Sequence, residues 1–115
     1  MRYEIIFTEP FKRKLKKLKK KYPHIKNDLS RVLSDMENGE SLGYPIPELF
    51  NRVYKVRVGS SDMKRGKRGS YRIIHYLEDR NSMIYLLTIY GKPKRENIPV
   101  KSIIAILKEL DLKFK

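Results

Sequence analysis

The chain has 115 residues, 40% hydrophobic and 10% aromatic, enough for one modest core and too much for wholesale disorder, so a single domain over residues 1–115 is expected. Lys and Arg number 27 against 13 Asp and Glu, a net charge of +14, so the expected partner is a nucleic acid or an acidic protein, held salt-sensitively. The absence of cysteine excludes a disulfide scaffold, a Cys-ligated zinc and a thiol nucleophile, and no stretch reads as a signal peptide or membrane span, so a cytoplasmic protein with no membrane partner is expected.

Arg2–Phe7 is short, apolar and β-branched, and predicts a strand. Thr8 is placed to N-cap a helix with Pro10 in its first turn. Phe11, Leu15, Leu18 and Tyr22 then share one helical face, with Lys and Arg filling the remainder. Pro23 ends this helix and opens a second, striped by Ile25, Leu29, Val32, Leu33 and Met36, with Gly39 as its stop. Two helices with narrow apolar stripes need something flat to cover.

Residues 39–51 read as a Pro- and Gly-bearing loop. In the following RVYKVRV, Tyr54, Val56 and Val58 alternate with Val53, Lys55 and Arg57, so one face is apolar and the other mostly cationic. A long basic connection leads to YRIIHYL, and the polar turn EDRNS joins that to MIYLLTIYG. Hairpin-length connections imply an antiparallel meander. After KPKRENIP, the spacing of Ile103, Ile104, Leu107 and Leu110 predicts a C-terminal helix. The order is β-α-α-β-β-β-α, an α+β class with helices packed on a curved sheet.

Candidate chemistry is narrowed by what is missing. His24 and His75 are far apart with no ligand spacing, and the acids are scattered, with Glu78 and Asp79 in a turn; no metal and no cofactor are expected. Ser60, Ser61 and Ser70 lack an elbow motif and a His–Asp partner, and read as turn residues. The lysines at 14, 16, 17, 19, 20 and 21 read as a solvated helix face, His75 as a structural histidine, and Tyr76 and Tyr85 as packing residues.

What remains is a cationic constellation. Lys55 and Arg57 share a strand face; Lys64, Arg65, Lys67 and Arg68 lie on the loop; Arg72 begins the next strand; Lys92, Lys94 and Arg95 follow the last. Hairpin connectivity brings these segments to one edge, with Tyr71, Tyr76 and Tyr90 interleaved. Cations for phosphate and rings for unpaired bases are what single-stranded RNA needs. Arg72, beside the basic loop, is hard to bury and easy to aim at phosphate.

Cutting RNA requires deprotonating a 2′-OH, stabilising a phosphorane and protonating the 5′-oxygen. A lysine base, with a reference pKa of about 10.4, is neutral only about one part in a thousand near pH 7.4, a handicap of roughly 4 kcal/mol. Neighbouring cations reduce that handicap. The patch alone would be a slow nuclease; something must pre-position the RNA.

VYKVRV, GKRGSYRIIHYL and IYLLTIYGK, in that order after a strand and two helices, resemble the RelE superfamily of bacterial toxins, most closely its HigB-type branch. The resemblance spans nearly the whole chain and is strongest over Val53–Lys92. It implies a small twisted antiparallel sheet flanked by helices. It also implies metal-independent mRNA cleavage in the ribosomal A site, against 16S rRNA, by 2′-OH attack to give a 2′,3′-cyclic phosphate and a 5′-OH.

A cognate antitoxin, HigA-like with a helix-turn-helix, is implied as partner, with operator DNA bound only through the complex. The family's catalytic lysine falls at Lys55, the next basic position at Arg57 and the strand arginine at Arg72; Lys67 is a second candidate base. Where the family has a further Arg and a C-terminal Tyr, this chain has Pro93 and Pro99. Lys92, Lys94 and Arg95 are candidates to replace the former and Tyr90 the latter, which leaves the general acid open. A ParE-like gyrase inhibitor on the same fold, or a nucleic-acid-binding module without catalysis, are the alternatives.

Overall fold

A computed structural model describes residues 2–49, 52–63, 69–91 and 98–112. The expected elements are present: β1 (Glu4–Phe7), α1 (Glu9–Lys21), α2 (Ile25–Glu37), then β3 (Val53–Gly59), β4 (Ser70–Glu78), β5 (Met83–Gly91) and α3 (Val100–Glu109). Inside the stretch read as loop, Tyr44–Pro45 forms a two-residue strand, β2, and Pro47–Leu49 a 3-10 turn.

The sheet order is β1-β5-β4-β3-β2. The β3–β4–β5 meander is antiparallel as expected, and β2 adds antiparallel to β3. β1 instead pairs parallel with β5, so the sheet is mixed. The reason is topological: α1 and α2 carry the chain from β1 to the far edge, and β5 returns beside β1. A bulge on β5 lets Leu86 and Ile89, three residues apart, both face the paired helices.

Each face of the sheet buries its own core. On one, α1 and α2 bring Phe11, Tyr22, Ile25, Leu29 and Met36 against Val56, Val58, Ile73 and Leu86. On the other, Ile103 and Leu107 of α3 and Leu49 of the 3-10 turn cover Val53, Ile74, Tyr76 and Leu87. The helix stripes read from the sequence face the core, with Phe11, Tyr22, Ile25, Leu29 and Met36 buried and Leu15, Leu18, Val32 and Leu33 partly so, and the lysines of α1 are exposed.

Helix ends follow local chemistry. Gly39, at φ +79°, follows the Asn38 C-cap and takes the left-handed conformation that stops α2. Thr8 occupies the N-cap of α1, but its hydroxyl does not cap; it donates to the Leu86 carbonyl at 2.6 Å, tying the helix start to β5.

Candidate nucleic-acid site on the open half of the sheet

α3 covers only part of its face of the sheet. The apolar part, Val53, Ile74, Tyr76 and Leu87, lies under it, while Lys55, Arg57 and Arg72 line a separate cleft of about 740 Å³. Strand alternation puts Lys55 and Arg57 on the same side of β3. Register does the rest: Arg57 stands opposite Arg72, and Arg72 opposite Tyr90, one row across three strands. Directly paired residues have Cβ atoms about 5 Å apart, so the two guanidinium groups can reach one bound group, while Tyr90 packs at the edge of the α3 core with its hydroxyl buried.

Two like charges side by side are costly in a free protein, and this pair is only partly offset. Arg57 is exposed; Arg72 is half-buried and donates to the buried Ser70 hydroxyl at 2.5 Å. Burial, then the neighbouring Arg57 charge, lower the Arg72 pKa from the usual arginine range, while Tyr90 opposes them. Among the described residues neither arginine nor Lys55 has a carboxylate partner; the ion pairs are Arg2–Glu37, Lys12–Glu9, Arg13–Glu109 and His24–Asp62, all elsewhere. Two guanidinium groups side by side present the paired N–H donors that a carboxylate or phosphate accepts.

The Tyr90 hydroxyl is buried; the Ile98 backbone N–H faces its oxygen, and no acceptor for its O–H lies within hydrogen-bond distance among the described residues. Burial pushes its pKa up; the Arg72 charge and the Ile98 backbone pull the other way. The phenol is therefore protonated at neutral pH and has an O–H to give.

The β3–β4 connection is anchored at its stem. Ser61 donates to Asp28 of α2 from both its backbone N–H and its hydroxyl, at 3.0 and 3.2 Å. Asp62 accepts from the His24 backbone N–H and pairs with its ring Nδ1, each at 2.9 Å, which raises the His24 pKa. The stem of the connection leaves the sheet at the Gly59–Ser70 pair, the end where β5 also finishes beside Tyr71. Lys64, Arg65, Lys67 and Arg68, and likewise Lys92, Lys94 and Arg95, lie outside the described residues.

Of the sequence-predicted site residues, the structure therefore brings together Lys55, Arg57, Arg72 and Tyr90. Two of the interleaved aromatics are not available for stacking. Tyr71 is fully buried against Tyr22 on the α1–α2 face, and Tyr76 is buried against Tyr85 in the α3 core. Strand alternation explains this: Tyr71 sits beside Arg72 in sequence and so points to the opposite face.

His75 is structural. It is wholly buried, stacks on Tyr54 with ring centroids 5.5 Å apart, and donates from Nε2 to the Leu42 carbonyl at 2.8 Å. The aromatic that does reach the cleft is Tyr44, 81% exposed on β2, which the sequence reading passed over as loop.

Among the described residues, no three of His, Asp and Glu gather closely enough to hold a metal ion, and no helix is long and apolar enough to cross a membrane. No family model matches the sequence. Among solved structures, the fold is similar to that of the E. coli toxin RelE, determined as a double arginine-to-alanine mutant in the free state. The TM-score is 0.60 at 18% identity, over 97% of this chain and 100% of that one, so this chain has the RelE-like fold.

Proposed function

We propose that this chain is a toxin of the RelE superfamily, on its HigB-type side, and that it cleaves mRNA in the ribosomal A site without a metal. The observation that carries the reading is the Arg57–Arg72–Tyr90 row, with Lys55 two residues along β3 and no counter-ion among the described residues. In the step proposed, the ribose 2′-oxygen attacks the adjacent phosphorus while the bond from phosphorus to the 5′-oxygen breaks. Arg57 and Arg72 take up the charge that grows on the phosphorane oxygens. Lys55 or Lys67 accepts the 2′ proton, and Tyr90 is the candidate donor to the leaving 5′-oxygen. The products are a 2′,3′-cyclic phosphate and a 5′-OH.

Of the cations outside the described residues, Lys64, Arg65, Arg68, Lys94 and Arg95 are assigned to holding RNA phosphate, and Lys92 to the catalytic set. The ribosome supplies the pre-positioning that a lysine base requires. Cytoplasmic location, a HigA-like helix-turn-helix antitoxin that blocks the site, and operator binding through that complex belong to the same reading.

Mapping mRNA 5′ ends in a translating extract tests it. New 5′-OH ends that require ribosomes are expected, with Arg72→Ala lowering their rate about 100-fold or more. Full cleavage by a folded Arg72→Ala protein overturns the assignment. Gyrase-dependent DNA breaks in place of RNA ends would make the chain a ParE-like inhibitor instead.

A further inference from the structure

We propose that Tyr44 is a stacking platform for an unpaired RNA base next to the phosphate held by Arg57 and Arg72; the inference rests on the RNA-cleavage reading for what becomes of that phosphate. Tyr44 is 81% exposed, twice the exposure of Phe7, the other large exposed hydrophobic among the described residues at 40%. It pairs with Lys55 across β2 and β3, so its ring stands on the same face as Lys55, Arg57 and Arg72, and it lines the same cleft. Lys55 and Arg57 are about 7 Å apart along the strand, a distance that one nucleotide spans between base and phosphate.

The mount is rigid although the ring is free. On one side, the Leu42 carbonyl accepts a hydrogen bond from the buried His75 at 2.8 Å. On the other, the Ile46 N–H donates to the Val53 carbonyl at 2.8 Å. Between them Gly43, at φ +87°, lies so close to β3 that a Cβ there would stand 2.2 Å from the Lys55 carbonyl oxygen. An exposed aromatic on a backbone pinned at both flanks loses little entropy when a ring stacks on it.

The surroundings select a base over an apolar protein side chain. Tyr44 is flanked by Lys55 and Arg57, which have no carboxylate partner among the described residues, and lies apart from Phe7, which packs on Phe11 of α1. Stacking on a lone ring tolerates any base, so Tyr44 adds affinity and register without reading base identity.

The chain has no tryptophan, so Tyr44→Trp introduces a single fluorescent reporter at this position. The probe is a short single-stranded 2′-O-methyl RNA, which lacks the attacking hydroxyl, beside the same oligomer built from abasic sugars. Quenching by the base-bearing oligomer and none by the abasic one is expected. Tyr44→Ala is expected to weaken binding about 5- to 100-fold while Tyr44→Phe retains it, the rescue a stacking role demands. On ribosomes, Tyr44→Ala is expected to raise KM by a similar factor, whereas Arg72→Ala lowers kcat.

Binding without quenching, or a Tyr44→Ala protein that binds like the parent, overturns the platform. Ribosomal cleavage that ignores Tyr44 removes the platform and leaves the nuclease. Quenching and Tyr44-dependent binding without any cleavage keep the platform and remove the nuclease.

Discussion

Acid should unfold this protein partly through one histidine. Burial pushes the His75 pKa down to about 4, although Nε2 donates to the Leu42 carbonyl, and among the described residues the buried Nδ1 has no partner for a second proton. In the unfolded chain the same ring titrates near 6.5. The folded value is depressed, so below pH 6.5 the unfolded state binds the extra proton. Stability from this residue is therefore full above pH 6.5, falls as pH drops, and is lost completely below about 4.

The shift of 6.5 to about 4 corresponds to about 3 kcal/mol at the acid limit, and roughly 2–3 kcal/mol by pH 4.5. That is a large part of the stability of a domain this size. Urea unfolding at pH 7.0 and 4.5 measures it, with His75→Gln as the control. Glutamine does not titrate and can keep a donor aimed at Leu42. The variant should start less stable at pH 7.0, having lost the Tyr54 stack, yet fall less than the parent between the two pH values. Parallel losses in parent and variant would refute the argument.

His24 should behave in the opposite sense. Its pKa is raised by the Asp62 hydrogen bond and charge, so its contribution is complete below pH 6.5 and lost as pH rises through the raised folded value. NMR titration should place its midpoint above 6.5, and Asp62→Asn should bring it down; an unmoved midpoint would separate the pair. Gly43→Ala should cost about 2 kcal/mol or more, from the left-handed backbone and the approach to the Lys55 carbonyl. Its thermal midpoint relative to the parent measures this, and a neutral substitution would mean that β2 does not sit against β3.

Most of the fold could be read locally. Helix stripes such as Phe11–Leu15–Leu18–Tyr22 and the alternation in β3 are short-range patterns that fix which side chains are buried. The parallel β1–β5 pairing could not, because nothing in Arg2–Phe7 encodes a partner seventy-odd residues away. Lys55 and Arg57 were legible as one cationic face, and Arg72 as its neighbour.

The pairing of Arg57 with Arg72 was not legible, since register across a long connection depends on its path and not on its composition. Tyr44 escaped for a related reason. A two-residue strand has no periodicity, and Pro45 argues against strand, yet at an edge proline costs no ladder bond. The usable signal was an aromatic between Gly43 and Pro45, in a loop rigid enough to display it.

The row of Arg57, Arg72 and Tyr90 works against the stability of the free protein: like charges face one another, and the phenol O–H is buried with no acceptor among the described residues. Elsewhere the same chain satisfies such groups, donating Thr8 to Leu86, His75 to Leu42 and Ser61 to Asp28. Among the described residues no carboxylate pairs with the two facing arginines of this row. On the function proposed, a phosphate supplies what that row lacks, because its oxygens can pair with both guanidinium groups. The repulsion is thus local and centred on β4, the middle strand of the five, and on the function proposed it is the bound anion that relieves it.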